Sequence, residues 1–225
     1  TGGLAAVHVE DRSKQGIWKG FKNKETYATS GPQILLWFDL ITTSETFPMG
    51  SKVNLEKNPV FEVKAVGSFK QKPGCPDFGL SANDNARLKK ICGGECFNPS
   101  NERRNITRIE VIKITPQNYN DEPVDELIED TWKVFDCKPS QDGCKIRFSD
   151  REFQRNGRDS VYYVRAIEEP SLRVNGDNLR CEYDDQGNCI KVNICHGSYL
   201  TDKKDDCVSL SEERAWSSPI YVNKI

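Results

Sequence analysis

Histidine, cysteine and aspartate are the residues here whose spacing bears most directly on chemistry. A metal-dependent hydrolase needs several His, Asp and Glu ligands converging on an ion, and the 225-residue chain holds two histidines, His8 and His196. There is no HxH, no HExxH and no His-rich strand end, so a complete His-based metal centre is not expected within it. Serine-triad chemistry would have to use one of the same two residues, and neither stands beside a nucleophile signature. GxSxG, a phosphate loop and a dinucleotide fingerprint are absent as well. Cys92-Gly-Gly-Glu-Cys96, with Cys75 as a third ligand, fits part of a zinc site only loosely, and a disulfide-bearing turn is the preferred reading. The lack of CxxC counts against thioredoxin-like redox chemistry. Asp184-Asp185-Gln186-Gly187-Asn188 has the oxygen-rich composition of a calcium loop, with Asp202, Asp205 and Asp206 nearby, but lacks EF-hand spacing. A hairpin turn closed by Cys181 and Cys189 is preferred there.

The nine cysteines are numerous for an intracellular protein of this length. Cys137 and Cys144, Cys181 and Cys189, and Cys195 and Cys207 form close pairs in polar, glycine-containing segments, while Cys75, Cys92 and Cys96 make a set with one left over. Near-neighbour pairing is the simplest arrangement, although spacing alone does not fix connectivity. Disulfides on this scale imply an oxidising, extracytoplasmic compartment, periplasmic or secreted. Lys plus Arg total 32 against 34 Asp plus Glu, with the signs intermixed; no basic stripe suggests nucleic acid or an anionic membrane surface. No apolar run approaches the ~20 residues of a membrane span. The chain starts at Thr1 without a signal-like segment, which reads as a processed protein or an excised fragment.

These residues need a scaffold, and the patterning makes it mainly β. TGGLAAVHV (1–9) reads as a short buried strand. Asp11 or Ser13 can cap a helix that puts Ile17, Trp18 and Phe21 on one face and Lys14, Lys19 and Lys22 in water. Gly16 and Gly20 weaken that helix, so it needs a neighbour, and the sheet of this strand–helix unit is expected to lie elsewhere. From Pro32 onward the period becomes two, as in FEVKAVGSF (61–69). Further strands are expected at 33–41, 106–115, 131–137, 144–149, 160–167 and 216–223. Short strands separated by polar turns point to an immunoglobulin-like antiparallel β-sandwich. Insertions at about 70–104 and 170–214 carry most of the cysteines and are expected to be disulfide-stapled loops. Trp132, Tyr162, Tyr163, Trp216 and Tyr221 fall on strands, where core packing is preferred over a substrate platform. Asn105-Ile106-Thr107 matches a glycosylation sequon, which would usually mean nothing if the protein were bacterial.

Several segments together resemble a known family. GGLAAVHVEDRSKQGIWKGFKNKETYATSGPQI, RIEVIKI, GRDSVYYVRAIEEPS, LRCEYDDQGNC and EERAWSSPIYV are similar to the C-terminal part of a family of secreted bacterial proteins of unknown function. The main domain of that family resembles the PHP (polymerase and histidinol phosphatase) metallohydrolases. The resemblance implies that residues 1–31 are the terminal strand–helix element of an upstream α/β barrel. It implies that residues 32–225 form a β-sandwich accessory domain. The divalent metals (Mn, Zn or Fe) and their ligands would belong to that upstream barrel, leaving no catalytic residue, metal or cofactor in this fragment. Tyr27, Thr29 and Ser30 would lie near the barrel's mouth and could present hydroxyls to a phosphate or ester oxygen of an unknown small substrate; a simple turn and strand start is the preferred alternative. Relatives usually carry Arg where this chain has Gln33. The expected partner is therefore the upstream barrel of the same protein, with no nucleic acid and no membrane span. A non-catalytic extracytoplasmic binding or structural sandwich is the rival reading.

Overall fold

Alternating apolar residues make strands in most of this chain. A computed structural model describes residues 2–76, 97–174, 181–192 and 208–225. β1 (Leu4–Val7), α1 (Lys14–Lys22) and β2 (Thr26–Thr29) come first, followed by β3 (Leu35–Ile41), β4 (Thr46–Pro48), β5 (Lys52–Leu55) and β6 (Val60–Val66). Next are β7 (Phe69–Gln71), β8 (Pro99–Arg103), β9 (Ile106–Ile114), β10 (Ile128–Asp136), β11 (Cys144–Ser149), the short helix α2 (Phe153–Asn156) and β12 (Ser160–Glu168). The remainder holds β13 (Ser171–Val174), β14 (Cys181–Tyr183), β15 (Cys189–Val192), β16 (Val208–Ser211), β17 (Arg214–Ser217) and β18 (Ile220–Lys224).

Two sheets carry the core. One is four-stranded, in the order β11-β6-β3-β4. The other is eight-stranded and centres on β12, which pairs with β9 along one edge and with β17 and β18 in succession along the other. All described pairings are antiparallel except β18 with β5. In β3 and β6 the inward positions Leu36, Phe38, Leu40, Phe61, Val63 and Ala65 are fully buried. They share one apolar cluster with Ile109, Val111, Tyr162, Val164 and Ala166 of the other sheet. Phe61 joins the sheets, its ring centroid 4.7 Å from Tyr162 and 5.4 Å from Phe38. The mainly β, antiparallel expectation agrees with this arrangement.

Several details differ from expectation. β1 is not buried: Leu4 is exposed. The β1–β2 hairpin is not apart from the rest, because Ala28 pairs with Trp216 and adds it to the large sheet. The single strand expected at 61–69 ends at Val66, where Gly67 allows a backbone approach that a side chain would prevent; a Cβ there would lie 1.9 Å from the Arg104 carbonyl oxygen. The strand expected at 216–223 is two strands, broken at Ser218-Pro219, since proline cannot donate to a ladder. Within 170–214 the described residues form two-stranded ladders, β13 with β16 and β14 with β15, rather than bare loop.

Cys137–Cys144 and Cys181–Cys189 are disulfide-bonded. The first ties the end of β10 in the large sheet to the start of β11 in the small one. Cys75 is disulfide-bonded too, which removes it as a zinc thiolate. Cys92, Cys96, Cys195, Cys207 and His196 lie outside the described residues, as do Asp202, Asp205 and Asp206. Two disulfides suit an oxidising environment. Among the described residues no helix is long and apolar enough to cross a membrane.

Candidate functional site

The turn after β2 places Ser30, Gly31, Pro32 and Gln33 against the far end of the chain. Ser30 donates its backbone N–H to the Arg214 carbonyl at 2.9 Å, and its hydroxyl accepts the Arg214 N–H at 2.9 Å while donating to the Glu213 carboxylate. The other Glu213 oxygen is 2.8 Å from Arg173 Nε. Tyr27 and Thr29 share the buried face of β2, as residues two apart in a strand must. Thr29 Oγ1 accepts from the Gly31 N–H at 3.3 Å, and burial pushes the Tyr27 phenol above its ordinary range. Of the three hydroxyls singled out in the sequence, Ser30 alone is not buried, and it is tied to Glu213.

Beside this turn a second carboxylate is enclosed. Glu168, at the end of β12, is fully buried and accepts from both the backbone N–H and the hydroxyl of Ser68, the latter at 3.1 Å. Its backbone N–H donates to the Glu213 carbonyl at 2.8 Å, which couples the two clusters. Burial raises the Glu168 pKa; the Ser68 hydrogen bonds and the Arg104 and Arg173 charges offset only part of that. Arg104 is placed by its own N–H, which donates to the Ser68 carbonyl at 2.8 Å.

Gly31, Pro32 and Gln33 line an open cleft of about 380 Å³ together with Ser68, Phe69, Arg104 and Arg173, and with Leu4, Gln71 and Phe97. Arg103 stacks its guanidinium 3.8 Å from the Phe69 ring centroid and donates to the Gly67 carbonyl at 2.8 Å, fixing that part of the lining. A cavity of about 220 Å³ between β1 and α1 is lined by His8, Glu10, Asp11 and Glu25 among others. His8 there is committed to the Leu36 carbonyl at 2.8 Å.

Other charged groups are internally matched. Arg108 makes a bidentate pair with Glu212 at 2.7 and 2.8 Å and also reaches Glu110, which bonds Arg165, which bonds Asp130. Asp184 accepts from the Gln186 and Asn188 backbone and the Asn188 side chain, so its carboxylate is occupied by its own turn. The Asn105 amide donates to Glu169 at 2.8 Å. Trp132 and Tyr162 pack on or in the core, and Tyr163, Trp216 and Tyr221 are half-buried. Among the described residues no group of three or more His, Cys, Asp or Glu is placed to hold a metal ion.

Sequence reasoning reached the Ser30–Gln33 turn and missed Ser68, Arg104, Glu168, Arg173 and Glu213. The signal available was two Glu-Glu doublets at strand boundaries, 168–169 and 212–213, since neighbouring residues in extended chain point to opposite sides and one of each pair is then directed inward.

A family profile described as "Protein of unknown function (DUF3604)" matches residues 1–70. No curated protein and no solved structure matches the chain. The matched stretch contains Tyr27, Thr29, Ser30, Gln33 and Ser68, whereas Arg104, Glu168, Arg173 and Glu213 fall outside it. Residues 1–70 are thus similar to a family whose description states no activity.

Proposed function

We propose that this chain is the accessory β-rich part of a larger extracytoplasmic protein, a PHP-like metal-dependent hydrolase of phosphoester or related bonds. On this reading the metals belong to a barrel upstream, residues 1–31 are the strand–helix element that adjoins it while β2 pairs into the large sheet, and residues 32–225 are the immunoglobulin-like accessory domain. Among the described residues no group of three or more His, Cys, Asp or Glu is placed to hold an ion, and no step of a metal reaction is assigned to them.

The observation that carries the reading is the outward face of α1. Ser13 caps the helix through the Gly16 N–H, and Gly20 lets it sit close on β1, where a Cβ would meet Val7 and the His8 carbonyl at 2.6 Å. Away from that contact Trp18 is 70% and Phe21 48% exposed, and Ile17 between them and the glycine is 38% exposed. An apolar helix face of this kind is what a neighbouring domain would cover. The resemblance of GGLAAVHVEDRSKQGIWKGFKNKETYATSGPQI to the segment that follows such a barrel supports the same partner.

The test compares this chain with the longer protein on generic phosphoesters with Mn²⁺. Activity is expected in the longer protein alone, with Trp18 fluorescence blue-shifted there relative to the chain by itself. Full activity in this chain alone sinks the proposal. The rival, a non-catalytic binding module, is favoured by the cationic cleft, and an inactive longer protein would leave that reading standing.

A further inference from the structure

We infer that the cleft lined by Gln33 and Arg104 is a binding site for an oxyanion, a phosphate, sulfate or carboxylate, carried on a small organic molecule. The inference does not depend on the hydrolase reading. It rests on how the charges around the cleft are distributed.

Arg104 and Arg173 line the cleft and Glu168 and Glu213 bond to lining residues, and three of these four charged side chains are already used. Glu213 is held by the Ser30 hydroxyl and by Arg173. Glu168 turns inward, where Ser68 supplies two donors to its carboxylate. Arg104, half-buried and lining the cleft, has no side-chain hydrogen bond or ion pair with another described residue; the Glu168 charge acts on it only at a distance. A guanidinium in a concave, partly desolvated wall attracts an anion strongly, and its planar fork matches two oxygens of a tetrahedral or carboxylate group.

The rest of the lining tells against a bare ion as the natural occupant. Phe69, backed by Arg103, and the exposed Phe97 present apolar surface at the same cleft. Gln33 is exposed, lines the same cleft as Arg104, and offers both a donor and an acceptor. A ligand with an anionic head and a flat or apolar body would engage both parts, whereas inorganic phosphate would engage only the head.

The inference is tested by titrating this chain with inorganic phosphate, inorganic sulfate, phenyl phosphate, phenyl sulfate and benzoate, following amide chemical shifts. Arg104→Gln removes the charge and shortens the side chain while keeping it polar, and should weaken binding roughly tenfold, the loss expected of a charge-assisted hydrogen bond. Gln33→Arg adds an unpaired guanidinium to the cleft lining and should tighten it. The organic anions should bind more tightly than the inorganic ones, and their rank order identifies the head group. The dispersion of the amide spectrum reports whether each variant is folded. Absence of binding by every probe at millimolar concentration, or binding that neither variant alters, overturns the inference.

Discussion

Lys113 Nζ lies 2.8 Å from Asp150 Oδ2 inside the protein, joining β9 of the large sheet to the residue that follows β11 of the small one. Asp150 is fully buried, Lys113 is 6% exposed at its side chain, and the Tyr162 hydroxyl donates to the same carboxylate oxygen at 2.7 Å. The Trp132 ring stands 5.3 Å from the ammonium. Replacing Asp150 with Ala strands a buried cation and leaves the Tyr162 hydroxyl unpaired, so the variant should lose about 3–5 kcal/mol of stability. Urea unfolding measures this, and an unchanged midpoint would show that the pair is not a buried ionic contact.

The same carboxyl contributes to the acid limb of stability. Burial pushes the Asp150 pKa up, but the Lys113 ammonium, the Tyr162 hydroxyl and the Glu152 N–H together outweigh it and hold the group below its ordinary range. A group depressed in the folded state contributes stability that is present above its unfolded value, about 3.9, and lost as pH falls through the folded one. Asp150→Asn should therefore lie below the parent at neutral pH, with the gap closing as pH drops below 4. A gap independent of pH would exclude the linkage.

Glu168 behaves with the opposite sign. Its raised folded value means that stability is fully present below the unfolded value, about 4.3, and declines as pH rises through the folded one. The groups facing it are Ser68 and, through their charges, Arg104 and Arg173. Glu168→Gln keeps an acceptor for the Ser68 N–H without the buried charge. Relative to the parent it should gain stability progressively from pH 4 toward neutrality, as read from thermal midpoints across that range. A relative loss would mean that the charged form is the one the site stabilises.

The Cys137–Cys144 bridge closes a short ring yet spans the two sheets, with Cα atoms 5.7 Å apart. Restricting the unfolded chain by so small a loop is worth about 2.5 kcal/mol. The double change Cys137→Ala with Cys144→Ala should shift the urea midpoint accordingly without altering the fold. Equal midpoints for parent and variant would assign the bridge no role in stability.

Strand positions were legible because period-two burial leaves its mark in composition: β3, β9, β11 and β12 fall within a residue or two of the segments that alternation picks out. Breaks inside those segments were not, because Gly67 and Pro219 interrupt ladders for reasons that depend on a partner far away in sequence. The charged wall of the cleft was hidden for the same reason. Ser30 meets Glu213, and Ser68 meets Glu168, only after the sheets assemble. The amphipathic pattern of α1 identified its apolar residues correctly but could not say that Trp18 and Phe21 face outward while glycine faces the body.

The gap between β17 and β18 gives a final expectation. At Ser218-Pro219 the edge alongside β12 loses its backbone partner, and the Ser217 hydroxyl fills the vacancy by accepting the buried Val164 N–H at 3.0 Å. A serine at the last position of β17 is therefore part of the ladder rather than a surface substitution. Ser217→Ala leaves an amide deep in the core with no acceptor, at a cost of about 1–3 kcal/mol. Ser217→Thr keeps the hydroxyl and should recover most of that loss if the added methyl fits. Hydrogen exchange at the Val164 amide reads the difference directly: it should quicken in the alanine variant beyond the change at Ala166, which lies on the intact β17 pairing. Equal acceleration at both amides would mean that the hydroxyl is not the acceptor that holds this break together.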